Sequence, residues 1–95
     1  MAVGEYHIEV EEIEPFPEAL FRVTVRAEDA TTEHMVTLDW AYFTKLRGDR
    51  EVEAFIQDSF MFLLEREAPS AILSQFNMRT VVTYFPEYEK NIAKK

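Results

Sequence analysis

A single amphipathic segment, residues 49–67, constrains the possible fold more than any other part of the chain. Its apolar residues recur at the three- and four-residue spacing of one helix face, which predicts a helix. These residues are Val52, Phe55, Ile56, Phe60, Leu63 and Leu64. At about 100° per residue, the apolar arc covers roughly 200° of the helix circumference. We therefore expect the helix to be buried on two sides.

Capping signals mark the ends of this helix and of a shorter one before it. Asp49 can accept hydrogen bonds from the free N–H groups of the first turn, so it is the predicted N-cap. Pro69 cannot continue a helix and stops it. Upstream, Asp39 is the predicted N-cap of a short helix over residues 40–47, and Gly48 can adopt the left-handed conformation that follows it.

The first part of the chain, residues 1–39, has the two-residue periodicity of strands, which we predict at 5–13, 19–27 and 33–39. The short connection between the second and third strands predicts a hairpin. The remaining residues, 40–95, have mainly helical spacing. We therefore predict one α+β domain, a three-stranded antiparallel β-meander followed by a long amphipathic helix and short C-terminal helices packed on one face.

Two details of the meander are also predicted. The alternation slips at residues 12–13, which indicates a β-bulge or the end of the strand. Arg22 and Arg26 lie on the outer face of the second strand, where they can sit across from Glu9 and Glu11. Such cross-strand ion pairs help to fix the register of the two strands.

Two short helical pieces are predicted after the long helix. Ser70 is the candidate cap of a piece over residues 70–76, and Asn77 is the candidate cap of the next. The segment TVVTYF is β-branched and aromatic, so propensity alone favours a strand there. We predict a helix because apolar residues again recur at helical spacing. They are Met78, Val81, Val82 and Phe85.

The charge of the chain limits its partners. The formal net charge is −8, and residues 1–89 hold all 18 acidic residues against seven Lys or Arg. Such a surface repels phosphate, which disfavours nucleic acid and anionic membranes as partners. No run of 18 apolar residues occurs, so no transmembrane helix is expected. The first residues lack the basic and apolar regions of a signal peptide, so we expect a cytoplasmic protein.

Histidines and carboxylates are the candidate ligands for chemistry. His7 and His34 lie on different predicted strands and can approach each other if those strands are neighbours, with Asp39 or Glu9 as an oxygen ligand. A metal site usually needs three or four converging ligands, often closely spaced, so we expect surface or half-buried strand histidines instead. The alternative is a small ligand-binding domain or enzyme that uses both histidines and nearby carboxylates.

An acidic cluster and the missing catalytic motifs bear on enzyme function. The cluster consists of Glu9, Glu11, Glu12 and Glu14. Two carboxyls with different pKa values can act as an acid–base pair, but we expect these to be solvated. There is no cysteine, no G-x-S-x-G motif and no glycine-rich phosphate loop. We therefore predict no enzymatic activity, no cofactor and no metal.

Aromatic residues are numerous for a core of this size, with eight Phe, four Tyr and one Trp. Some of them can serve an interface, and a homodimer is one possibility. The candidate interaction residues are Phe16, Tyr84, Phe85 and Tyr88. The other interpretation is that Phe16 caps the edge of the core and the three C-terminal aromatics pack on the long helix.

The second half of the chain carries the pattern LLERE-x-P…IL..F…YFPEYE. It falls on residues 63–67, Pro69, Ile72, Leu73, Phe76 and 84–89. This pattern resembles that of a group of small uncharacterised bacterial proteins. The resemblance implies a bacterial origin and supplies no activity and no catalytic residues.

Three hypotheses for function follow from these observations. The first is a non-enzymatic protein-interaction or oligomerisation module, bound to another protein or to itself. The second is the ligand-binding domain or enzyme built on His7 and His34. The third is an acidic antidote-like regulator that masks a basic partner.

Overall fold

A computed structural model describes residues 6–93 of the chain. It contains a four-stranded sheet in the order β1–β2–β3–β4, with helices covering one face. The strands are β1 (His7–Glu14), β2 (Glu18–Arg26), β3 (Thr31–Asp39) and β4 (Gln75–Asn77). The α-helices are α1 (Trp40–Leu46), α2 (Val52–Leu64), α3 (Val81–Tyr84) and α4 (Tyr88–Ile92), and single 3₁₀ turns span Pro69–Ala71 and Met78–Thr80. The predicted α+β class and the antiparallel meander are confirmed.

The meander has the predicted ion pairs between β1 and β2 on its outer face. β1 and β3 each pair antiparallel with β2, and the β1–β2 register shifts between Glu12 and Glu14, which confirms a β-bulge there. On the outer face, Arg22 lies directly opposite Glu11 and donates to its carboxylate at 2.9 Å. Arg26 reaches diagonally to Glu9 at 3.3 Å.

The core lies between the inner face of the sheet and α2. Alternate residues of the two central strands are buried, and so is the apolar stripe of α2, as its spacing predicts. The buried strand residues are Ala19, Phe21, Val23, Val25, His34, Val36 and Leu38; those of α2 are Phe55, Ile56, Ser59, Phe60, Phe62, Leu63 and Leu64. The C-terminal helices add Val81, Tyr88 and Ile92.

The predicted N-cap of the long helix is wrong, whereas that of the preceding helix is confirmed. α2 begins at Val52 after Glu51, which makes no capping bond through its side chain. The backbone N–H of Arg50 instead bonds Arg47 at 3.1 Å, a turn that delays the helix start beyond Asp49. For α1, Asp39 accepts the N–H of Tyr42 at 2.8 Å.

A 3₁₀ turn and the start of a fourth strand take the place of the helix predicted over residues 70–76. After the first 3₁₀ turn, β4 pairs parallel with β3, and the N–H of Met35 bonds the carbonyl of Ser74 at 2.8 Å. The helix prediction fails here because the open edge of β3 supplies backbone partners that local spacing does not reveal. Ser70 therefore caps no α-helix and lies within the 3₁₀ turn.

The helical prediction for residues 78–85 is confirmed. Asn77 caps the segment by accepting the N–H of Arg79 at 2.8 Å, and the chain passes through the second 3₁₀ turn into α3. The segment is helical despite its β-propensity, because the helical spacing of its apolar residues lets Met78 and Val81 face the core. No helix within residues 6–93 is long and apolar enough to cross a membrane.

Candidate interaction groove

A groove of about 150 Å³ opens where the end of α2, the segment 71–76 and α3 meet. We call it the Leu73 groove. Its walls are mainly apolar, formed by Leu63, Ala71, Ile72, Leu73, Phe76, Val81, Tyr84 and Phe85, with Glu67 and Thr80 completing the lining. An apolar cavity of about this volume can hold one benzene-sized group. The groove is therefore suited to one bulky apolar side chain.

Two side chains of this groove are unusually exposed. Leu73 is 53% exposed and Tyr84 is 65% exposed, the highest fractions among the large hydrophobic residues that the structure describes. Scattered exposed hydrophobic residues are ordinary, but two of them together beside a concave surface make this surface a candidate interaction site. The two residues lie together in the groove, whereas Ile13, Trp40 and Met61 do not line it.

A buried histidine holds one wall of the groove in place. The ring of His34 is 2% exposed, and its Nδ1 lies 2.8 Å from the carbonyl oxygen of Leu73. A carbonyl can only accept, so Nδ1 carries a proton and donates to Leu73, while Nε2 lies 2.9 Å from the hydroxyl oxygen of Thr32. His34 thus fixes the backbone of the segment that presents the Leu73 side chain.

Aromatic packing forms the base of the groove. The ring of Phe76 lies 6.1 Å from that of Phe60, and the ring of Phe85 meets that of Phe62 edge-on at 6.0 Å. Phe60 and Phe62 belong to the buried stripe of α2. The groove is therefore built on the rigid core of the domain rather than on a loose loop.

Glu67 is the only charged residue in the lining, and its side chain makes no ion pair with any residue between 6 and 93. The nearest arginine in sequence, Arg66, donates to Glu87 at 3.1 Å and lies over the ring of Phe62. Arg79 is bonded to Asp39. The groove is thus apolar with one uncompensated carboxylate.

The ion pair between Arg79 and Asp39 also changes the pKa of Asp39. The hydrogen bond from Arg79 lowers the pKa of Asp39 from its usual range, and the N–H of Tyr42 acts in the same direction. This ion pair joins the start of α1 to the 3₁₀ turn before α3. It therefore ties Arg79, the residue before the groove residue Thr80, to the start of α1.

The four predicted interaction residues lie in three different places. Tyr84 and Phe85 line the groove together. Phe16 is half-buried at another edge of the core, stacked on Phe43 at 5.3 Å and edge-on to Trp40 at 5.0 Å. This position corresponds to the core-capping interpretation.

Tyr88, the fourth of these residues, is fully buried and is not available on the surface. Its hydroxyl lies 2.7 Å from Oγ of Ser59. Burial raises the pKa of Tyr88 to about 12, because the phenolate would lose its hydration. It packs against Phe62 on the long helix, as the second interpretation expects.

The two histidines are not brought together. His7 is exposed on the outer face of the sheet, with Nε2 3.5 Å from Glu9, whereas His34 is buried on the inner face. The sheet separates the two rings, so they cannot share a ligand. Among residues 6–93, no group of three or more His, Asp or Glu side chains is arranged to hold a metal ion.

The acidic cluster of β1 is likewise divided among separate contacts. Glu9 and Glu11 pair with arginines of β2, while Glu12 and Glu14 are exposed. The hydrogen bond from Arg26 lowers the pKa of Glu9. Two of the four carboxylates are therefore held in cross-strand ion pairs on the outer face of the sheet.

Sequence reasoning did not identify Leu73 or Glu67 as parts of a site. Leu73 falls at helical spacing with Ile72 and Phe76, and this spacing predicts an inward side chain. Its exposure arises because residues 75–77 form a strand instead. Nothing in the sequence distinguishes Glu67 from the other acidic residues, because only the structure shows that it lines the groove without an ion-pair partner among residues 6–93.

Comparisons with protein-family models, curated proteins and solved structures find no significant match to this chain. The resemblance of its second half to small bacterial proteins stays a prediction. Function must therefore be inferred from the groove itself.

Proposed function

We propose that this chain is a non-enzymatic protein-interaction module whose binding surface is the Leu73 groove. The observation that carries the proposal is the exposure of Leu73 and Tyr84 beside a concave apolar void. Binding sites are concave and mostly apolar with a few polar groups, a description that fits this lining. Tyrosine is also enriched among the residues that dominate binding energies.

Binding at the Leu73 groove would be favourable because it removes apolar surface from water. Full burial of a leucine side chain is worth about 1.5–3 kcal/mol. Leu73 is about half exposed, so a partner that covers it gains a part of this free energy, and Tyr84 adds to it. The acidic surface supports a protein partner over nucleic acid or an anionic membrane. We propose the cytoplasm as the compartment, and the sequence resemblance supports a bacterial origin.

The test compares an altered groove with an altered surface elsewhere. Leu73→Asp introduces a charge into the groove, and Met61→Asp makes the same change at another exposed residue, 43% exposed on α2. Each immobilised variant is used to capture proteins from a bacterial lysate, and each is also sedimented at micromolar concentration.

We expect a partner, or a second copy, to associate with the wild type and with Met61→Asp and to be lost with Leu73→Asp. Because Leu73 is already about half buried, the lost apolar burial is about 0.8–1.5 kcal/mol, roughly 4- to 13-fold in affinity, and the introduced charge adds to this loss. Association that Leu73→Asp leaves unchanged would contradict the proposal, as would a strict monomer that captures nothing.

A further inference from the structure

We propose that the occupant of the Leu73 groove is a cationic amphipathic segment of another protein. One bulky apolar side chain of that segment fills the void, and a Lys or Arg beside it pairs with Glu67. This inference rests on the proposed function and deepens it by specifying the chemistry of the partner.

The volume of the groove determines the size of the apolar side chain that the occupant can insert. About 150 Å³ of space bounded by Leu63, Phe76, Val81 and Phe85 accepts one Phe, Leu or Met side chain. An amphipathic helix presents such a side chain on one face with charged residues at neighbouring positions. A single anchor in a well-packed pocket commonly dominates the binding energy of such a segment.

Glu67 sets the charge of the occupant. Glu67 is a half-buried residue of the groove lining, so a segment that fills the groove lies beside its carboxylate. A carboxylate that loses water without gaining a partner weakens binding. The arginines at residues 66 and 79 bond other carboxylates, so no cation of the described chain offsets this loss. The occupant must therefore bring the cation itself.

The same carboxylate disfavours a second copy as the occupant. Two grooves facing each other across a two-fold axis would bring both Glu67 side chains into one interface. The lining contains no Lys or Arg to compensate them. Residues 1–89 also carry seven basic residues against 18 acidic ones, so two copies repel each other at longer range.

The probes for the test are three synthetic helical peptides of one length with the same Leu and Phe positions. They carry Lys, Gln or Glu at every polar position. Binding to the full chain is measured by fluorescence anisotropy at low and at physiological salt. We expect the Lys peptide to bind at least about 10-fold more tightly than the Gln peptide and the Glu peptide to bind most weakly.

Matched charge variants distinguish the effect of the groove carboxylate on peptide binding from the effect of the overall negative charge of the chain. Glu67→Gln and Glu53→Gln remove the same charge, but Glu53 is exposed in the first turn of α2, outside the groove lining. We expect Glu67→Gln to weaken the Lys peptide about 3- to 10-fold and to leave the Gln peptide unchanged or tighter. Glu53→Gln should change neither beyond about twofold. Circular dichroism melts check that both variants are folded.

The possible outcomes distinguish this inference from the proposed function. If Leu73→Asp abolishes peptide binding but the three peptides bind equally, the groove is used and the cationic partner is wrong. Equal losses in Glu67→Gln and Glu53→Gln would also overturn it, because bulk charge would then explain the preference. A dimer that Leu73→Asp dissociates would identify a second copy as the occupant. If Leu73→Asp has no effect on the Lys peptide, the proposed function itself fails.

Discussion

Ser59 and Tyr88 form a polar contact inside an otherwise apolar part of the core. Both are completely buried, and their hydroxyl oxygens lie 2.7 Å apart. Ser59 also donates to the carbonyl of Phe55 at 2.9 Å, so the Tyr88 hydroxyl must donate to Ser59. The pair joins α4 to α2 with every hydrogen bond satisfied, which is what a buried polar contact requires.

This contact predicts unequal costs for removing its two members. Ser59→Ala leaves the Tyr88 hydroxyl buried without an acceptor and should lower the free energy of unfolding by about 1–3 kcal/mol. Tyr88→Phe leaves Ser59 bonded to Phe55 and should cost only about 0.5–1.5 kcal/mol. Urea denaturation measures both variants and the double variant. The double variant should lose less than the sum of the single losses, and strict additivity would contradict the contact.

At the scale of elements, Gly48 is the joint between the two helices that follow the sheet. It has φ of 64°, the only positive φ among the described residues, and it follows the C-cap residue Arg47 of α1. A side chain with a Cβ is disfavoured in this conformation, so glycine fits here. The joint sets the direction in which the chain leaves α1 for α2.

Replacement of Gly48 should therefore depend on the new side chain. Gly48→Ala should reduce the free energy of unfolding by about 1–2 kcal/mol, because an L-residue is strained in the left-handed region. Gly48→Asn is the matched control, since asparagine tolerates this conformation better and should cost less. Chemical denaturation of the two variants provides the comparison. Equal losses would show that the left-handed conformation at residue 48 is not what makes glycine favourable there.

Elements with a local signal could be predicted from the sequence, and those formed by distant pairing could not. The spacing of Phe55 and Phe60 identifies α2, and alternation identifies the meander. The three-residue strand β4 has no such signal, because it exists only where the edge of β3 accepts it. The groove depends on β4 for its wall. Tyr84 and Phe85 could thus be identified by residue type, whereas Leu73 could not.

At the scale of the whole molecule, α2 is enclosed by the sheet on one side and by α4 on another. Phe60 is completely buried, with its ring 5.5 Å from that of His34 and 6.1 Å from that of Phe76. It therefore connects the core of the domain to the residues that shape the groove. Such a position tolerates neither a cavity nor a charge.

Phe60→Asp should abolish folding, whereas Met61→Asp should not. The first change removes about 3–5 kcal/mol of packing and buries an unpaired carboxylate, against a typical domain stability of about 5–15 kcal/mol. Met61 is the next residue along the helix and is 43% exposed, so its replacement should have little effect. Thermal melts followed by circular dichroism decide between the two. A Phe60→Asp variant that kept its melting temperature would refute the placement of α2.

The bulge and carboxylates of β1 bear on how the molecule behaves in concentrated solution. β1 is an outermost strand, and an outermost strand can recruit a strand from another molecule and begin a fibre. Here the bulge interrupts the ladder, and Glu12 and Glu14 project beside it. Two such edges meet charge against charge, which opposes edge-to-edge pairing of two sheets. Low pH reduces the negative charge of a chain with 18 acidic residues, so we expect acidification to promote its aggregation.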